Sequence, residues 1–99
     1  MKNEINRNFL SPTGFQILAL IREAKTGREI CTTYKALTGK HLPFGTVYTV
    51  LRRYENIGLA EITTSKKDKR CKFFKTTKAG NKLVELTRAH YQDLATFVE

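Results

Sequence analysis

Apolar residues recur at helical spacing from Phe15 to Ile57, alternate with polar ones between Leu59 and Thr76, and return to helical spacing from Leu83 onward. Residues 1–10 are polar and asparagine-rich and are expected to form a flexible segment, with Phe9 and Leu10 the first side chains able to pack. Ser11-Pro12 supplies an N-cap and a proline at the first helical position, where its missing N–H costs nothing. Phe15, Ile17, Leu18, Leu20, Ile21 and Ala24 form a broad apolar stripe, and Thr26-Gly27 is expected to close this first helix. A second helix is expected from Arg28 to Thr38, with Ile30, Tyr34 and Leu37 on one face and Gly39 as its stop.

The run from Leu42 to Leu59 predicts a third helix, opened by Pro43, closed by Gly58, and apolar at positions 47, 50, 51, 54 and 57. Its other face carries Thr46, Tyr48, Thr49, Arg52 and Arg53. Short hydrogen-bonding groups leading to two guanidinium groups suit a helix presented to a nucleic-acid groove better than one that is only wetted. The connection before it, Gly39 to Leu42, is short, so the second and third helices must cross steeply as a helix-turn-helix. Phe15, Leu18, Ile30, Leu37, Val47, Leu51 and Tyr54 are the expected core. Helices alone would fit an ordinary three-helix bundle equally well.

The residues after the third helix change that balance. Leu59 to Thr64 and Cys71 to Thr76 are strand-like, and Ser65-Lys66-Lys67-Asp68-Lys69-Arg70 between them is a turn of four cations and one aspartate. Three helices and then a two-stranded hairpin with a basic tip is the order of a winged helix-turn-helix, mainly α with a small β-hairpin. Thr77 is a natural N-cap for a last helix over residues 78–98. Leu83, Leu86, His90, Leu94 and Phe97 form one stripe on it, widened by Val84, Tyr91 and Val98. A helix of this length has more apolar surface than its own small domain can cover, so the stripe either pairs with a second copy or folds back as a fourth wall of the core.

Charge sharpens the picture. The chain of 99 residues carries a formal charge of +9, and residues 66–82 alone contribute +7 while residues 83–99 contribute −2. A focused basic feature favours a polyanionic partner, nucleic acid first and a membrane surface second. One domain is expected, with no spanning helix and no signal peptide, placing the chain in the cytoplasm. Cys31 and Cys71 stand in no ligand pattern and are expected to be reduced and to bind no metal. No phosphate loop or catalytic triad is present, so neither an enzyme nor a cofactor is expected.

Four stretches resemble the PadR-like winged-helix transcriptional regulators. Gly27-Arg28-Glu29-Ile30 is similar to that family's Gly-Tyr-Glu-Ile, and Phe44-Gly45-Thr46-Val47-Tyr48 to its Gly-Thr-x-Tyr. Leu51 to Leu59 is similar to Leu-x-Arg-Leu-Glu-x-x-Gly-Leu, and Phe73 to Gly80 to Tyr-Tyr-x-Leu-Thr-x-x-Gly. Together these cover roughly residues 15 to 86. The chain departs from the pattern at Arg28 (usually aromatic), at Tyr54 and Thr76 (usually leucine), and at a wing tip without glycine, where Asp68 can make the turn. Thr76 in place of leucine would loosen the docking of the last helix.

The resemblance implies a homodimer formed through the last helix, using Leu83, Leu86, His90, Tyr91, Leu94, Phe97 and Val98, and bound to double-stranded DNA. Thr46, Tyr48, Thr49 and Arg52 would then lie at the major groove, with Tyr48 on a phosphate or base edge and Arg53 on the backbone. Lys66, Lys67, Lys69, Arg70 and Lys72 would meet phosphates or a minor groove. The expected division is an N-terminal segment over 1–10, a winged-helix domain over 11–76 and a dimerisation helix over 77–99. A protein-binding or RNA-binding module with a merely solubilising wing is the rival reading. A small-molecule effector is compatible with this shape, but no residue pattern identifies one.

Overall fold

The computed structural model describes residues 9–99; the remainder of the N-terminal segment expected to be flexible lies outside the described residues. Helix α1, Pro12–Leu20, begins as the sequence predicts: the Ser11 hydroxyl accepts from the Gly14 amide at 3.1 Å, and Pro12 occupies the first turn. It ends earlier than expected, with the Ile21 amide bonded to the Leu18 carbonyl. Thr26-Gly27 is therefore a beginning and not a stop. The Thr26 hydroxyl accepts from the Glu29 amide at 3.2 Å while the Glu29 carboxylate accepts from the Thr26 amide at 2.8 Å, a reciprocal capping box that opens α2, Gly27–Thr38. Ala24 consequently leaves the apolar stripe and is exposed.

Helix α2 closes as predicted at Gly39, whose left-handed backbone (φ 74°) returns its amide to the Lys35 carbonyl. Helix α3, Phe44–Asn56, follows Pro43 after a short connection. The chain then turns at Gly58 into β2, Ala60–Thr64, and β3, Lys72–Thr76, an antiparallel hairpin with Ile62 opposite Phe74. One strand has no counterpart in the sequence expectation. Lys25–Thr26 forms a two-residue β1 that pairs with β3, so the hairpin is part of a three-stranded sheet in the order β1-β3-β2. Through β1 the wing is tied to the start of α2 as well as to α3.

The core lies where α1, α2, α3, the sheet and the last helix meet, and centres on Ile17, Leu18, Ile21, Val47, Leu51 and Phe74. Of the seven expected core residues, Leu18, Ile30, Val47, Leu51 and Tyr54 are buried and Phe15 is half-buried. Leu37 is not a core residue: it is 71% exposed. Burial falls along α2 from Ile30 through Tyr34 to Leu37 because the helix runs off the end of the core. Tyr54, where the resembling family carries leucine, is housed by Gly14: a β-carbon there would collide with the Tyr54 hydroxyl. Burial pushes the Tyr54 phenol above its usual pKa, an effect partly offset by its hydrogen bond to Ser11.

Thr76 also departs from expectation. It does not loosen the last helix; its hydroxyl donates to the Leu18 carbonyl at 2.6 Å and its amide to the Ile21 carbonyl at 2.9 Å. Those carbonyls lie at the C-terminal end of α1 and on the cap residue after it, where carbonyls run short of intrahelical amides, so a buried threonine serves here in a way a leucine could not. Helix α4, Lys78–Ala95, then starts on Thr77 as predicted, and a 3₁₀ turn, Thr96–Val98, completes it. Gly80 lets α4 lie directly on the Leu59 carbonyl, where a β-carbon would not fit. Further along, the buried Thr87 hydroxyl accepts from the Leu10 amide at 2.9 Å, and the Tyr91 hydroxyl donates to the Leu10 carbonyl at 2.8 Å. Phe9 stacks on His90 with ring centroids 3.9 Å apart. Phe9 and Leu10, the first side chains expected to pack, are thus fastened to α4.

Candidate nucleic-acid interface

Helix α3 is held by Val47, Leu51 and Tyr54 on one side, which forces Thr49, Arg52 and Arg53 outward. Gly45 and Asn56 share that outward face by helical spacing from Thr49, and Thr46 stands at its flank. All six are exposed. Gly45 and Asn56 are absent from the sequence expectation, although the spacing that selects Thr49 also selects them.

Tyr48 behaves differently from its neighbours. It is half-buried, edge-on to Phe74 of β3 (centroids 6.4 Å apart, interplanar angle 81°) and tilted against Phe44. Its hydroxyl accepts from Arg52 Nη1 at 3.0 Å, and the Arg52 guanidinium carbon lies 5.7 Å from its ring centre. Glu55 approaches Arg52 Nε at 3.7 Å from the other side. The phenol therefore holds the arginine, and the wing strand holds the phenol.

The wing tip is an ordered turn. The Ser65 hydroxyl accepts from the Lys67 and Asp68 amides, Asp68 Oδ1 accepts from the Arg70 amide at 3.0 Å, and the Cys71 amide donates to the Asp68 carbonyl. Aspartate thus makes the turn that a glycine would otherwise make, as its chemistry predicts. Lys66, Lys67, Lys69, Arg70 and Lys72 all project into solvent, and among the described residues only Arg70 of these five has an acidic partner, Asp68 at 3.3 Å.

Between α3 and the wing lies a groove of about 620 Å³ lined by Thr26, Gly27, Arg28, Phe44, Tyr48, Arg70, Cys71, Lys72 and Phe74. It brings together three of the predicted residues, Tyr48, Arg70 and Lys72. Thr46, Thr49, Arg52 and Arg53 of α3, and Lys66, Lys67 and Lys69 of the tip, lie outside its lining. Arg28 is in the lining and was not among the sequence candidates; the signal available for it was a cation at a position where the resembling family has an aromatic. Of the two cysteines, both free, Cys31 has its thiol pKa pushed up by burial, and Cys71 lines the groove. Among the described residues no three His, Cys, Asp or Glu side chains cluster as metal ligands, and no helix is long and apolar enough to cross a membrane.

The stripe on α4 is divided. Leu83, His90 and Tyr91 are half-buried against their own domain, and Val84 is wholly buried. Leu86, Leu94, Phe97 and Val98 are exposed, the last two by 85% and 87%. On a third edge, Glu85 bridges Arg22 in the turn after α1 (2.9 Å) and Arg88 (2.7 Å), and the hydrogen bond from Arg88, with Arg22 adding to it, holds its carboxyl below the usual range.

No protein-family model and no curated protein matches the chain by sequence. Solved structures do match its fold. A PadR-family transcriptional regulator from Eggerthella lenta superposes with a TM-score of 0.73 at 24% identity, covering 99% of this chain and 85% of that one. A PadR-like transcriptional regulator from Bacillus cereus gives 0.75 at 24% identity, covering 87% and 86%. A mutant MarR from E. coli, complexed with operator DNA, gives 0.68 at 22% identity, covering 81% of this chain and 54% of that one. The present chain therefore spans about half the length of that MarR. These likenesses agree with the helix order, the hairpin and the appended α4: the chain is a winged helix of the kind found in PadR and MarR regulators.

Proposed function

We propose that the protein is a sequence-specific DNA-binding transcriptional regulator that acts as a homodimer on an inverted-repeat operator. The observation that carries this reading is the groove in which Tyr48 of α3 meets Arg70 and Lys72 of the wing, so that two unlike features adjoin. The outward face of α3 bears threonines, arginines and an asparagine, and a rigid basic turn stands beside it. The first can hydrogen-bond base edges in a major groove; the second neutralises phosphates or reaches the adjacent minor groove. That solved MarR and PadR regulators share the fold, one of them on operator DNA, supports the reading.

Within it, Thr46, Thr49 and Arg52 read bases, Arg53 serves the backbone, and Lys66, Lys67, Lys69, Arg70 and Lys72 supply sequence-independent affinity. Tyr48 aims Arg52 through its hydroxyl and leaves base and phosphate to others. Leu86, Leu94, Phe97 and Val98 pair with the same surface of a second copy, and His90 and Leu83 border the contact. A two-fold pair of α3 helices reads half-sites about one helical turn, roughly 34 Å, apart. Occlusion of a promoter makes repression the simplest consequence.

A gel shift on genomic fragments at moderate salt tests the reading. Retention of a particular fragment against excess competitor is the expected result. Uniform weak binding, or preference for structured RNA, would transfer support to the protein-binding or RNA-binding module.

A further inference from the structure

The groove at the junction of α2, α3 and the wing has a composition that neither the reading face nor the wing tip requires. Three of its nine lining residues, Arg28, Arg70 and Lys72, are cationic and none is acidic. They arrive from separate elements: Arg28 from the first turn of α2, Arg70 from the wing turn, and Lys72 from the start of β3. Glu29, the acid next to Arg28, is held in the capping box by the Thr26 amide and is not part of the lining. Neither Arg28 nor Lys72 has an ion-pair partner among the described residues. The floor is aromatic, made by Phe44, Tyr48 and Phe74, and it is tightly built: Gly27 cannot carry a β-carbon because the Phe44 ring occupies that space. Cations around a rigid apolar floor fit a ligand with an anionic edge and an apolar body.

A duplex whose major groove receives α3, and whose flanking minor groove or phosphates meet the wing, presents one sugar-phosphate strand between them, because that strand is what separates the two grooves. The space between α3 and the wing is this groove. We infer that it seats one phosphodiester of the DNA backbone, held by Arg28 together with Arg70 and Lys72, with the deoxyribose against Phe44. The inference rests on the DNA-binding reading above and adds to it a site and a residue, Arg28, supplied by α2. The strand β1 gives the arrangement its stiffness, since Thr26 pairs with Phe73 and so fixes the start of α2 to the wing. The backbone positions that carry Arg28 and Lys72 are therefore tied to one another through the sheet.

Salt titrations of the whole protein on the duplex it most enriches from random DNA, and on a scrambled duplex, test this site. Arg28 is exposed on a helix surface, so Arg28→Ala is expected to fold, which its thermal transition checks. It should weaken binding to both duplexes alike, roughly three- to tenfold, and lower the log–log salt slope by about 0.9 per protomer. Lys75→Ala removes the same charge from the opposite face of β3 and should leave the slope in place. A neutral methylphosphonate walked along the enriched duplex should then find one backbone position per half-site where wild type loses affinity and Arg28→Ala loses nothing more. An unchanged slope for Arg28→Ala, equal changes for Arg28→Ala and Lys75→Ala, or additive losses at every methylphosphonate would each overturn the phosphate seat while leaving DNA binding intact. Failure of the wild-type protein to bind either duplex would instead remove the DNA-binding reading, and the seat with it.

Discussion

Helices α3 and α4 are both amphipathic, both pack one edge on the same core, and differ in what they leave outside. Helix α3 exposes Thr49, Arg52, Arg53 and Asn56 beside a basic turn; α4 and its terminal turn expose Leu86, Leu94, Phe97 and Val98. A polar, cationic edge is stable in water and gains from an anionic, hydrogen-bonding partner. An apolar edge is not, and fully covering a side chain of this kind stabilises by about 1.5–3 kcal/mol. The contrast teaches that two surfaces of one small domain can call for unlike partners; under the proposed function these are DNA for the polar edge and a second copy for the apolar one.

The comparison breaks most severely at the wing. Changing Lys66, Lys67, Lys69 and Arg70 together to Gln is expected to weaken binding to every duplex by roughly 100-fold or more near physiological salt and to flatten the salt slope markedly. An unchanged slope in that titration would take the wing out of the interface. On α4, Leu94→Glu with Phe97→Glu places charge on exposed apolar positions, so the monomer fold should persist while sedimentation shows the dimer lost. A dimer that survives would assign the contact elsewhere.

A finer cut separates the reading arginine from the phenol that holds it. Arg52→Ala should cost about 1–3 kcal/mol of discrimination between preferred and scrambled DNA. Tyr48→Phe keeps the ring on Phe74 but removes the acceptor for Arg52 Nη1, so part of the same discrimination should go with no change in salt slope. Adding Tyr48→Phe to Arg52→Ala should cost nothing further; additive losses would return Tyr48 to a DNA contact of its own.

The smallest expected effect concerns the polar edge of α4. Glu85 is held below the ordinary carboxylate pKa, so its contribution to stability is present above the unfolded value of about 4.3 and is lost as pH falls through the lower folded value. Because the group is exposed, the acid limb of the stability curve should flatten only slightly in Glu85→Gln. An unaltered limb would mean that the Arg22–Glu85–Arg88 bridge does not help fasten α4 to the turn after α1.

Local signals carried much of this architecture. Ser11-Pro12, Gly39, Gly58, Thr77 and the Asp68 turn act within a few residues of themselves, and each does in the fold what its chemistry dictates. Thr26 differs from expectation because two local signals overlap there: Thr-Gly suggests a stop, Thr-x-x-Glu a start, and the reciprocal bonds of the capping box decide the matter. The remaining surprises depend on partners distant in sequence. Thr76 is satisfied by a carbonyl 58 positions away and Thr87 by an amide 77 positions away, which no periodicity reveals. The same holds at the interface. Tyr48, Arg70 and Lys72 are candidates on spacing and charge alone, whereas Arg28 meets them in the groove only because β1 pairs with β3 and brings the start of α2 to the wing.

The most direct measurement of the central proposal is a pair of binding isotherms near physiological salt, on the duplex the protein most enriches from random sequence and on a scrambled duplex of equal length. A sequence-reading α3 predicts a ratio of dissociation constants of roughly 10³ or more, with two protomers bound to an inverted repeat. Equal affinities for the two duplexes would contradict it.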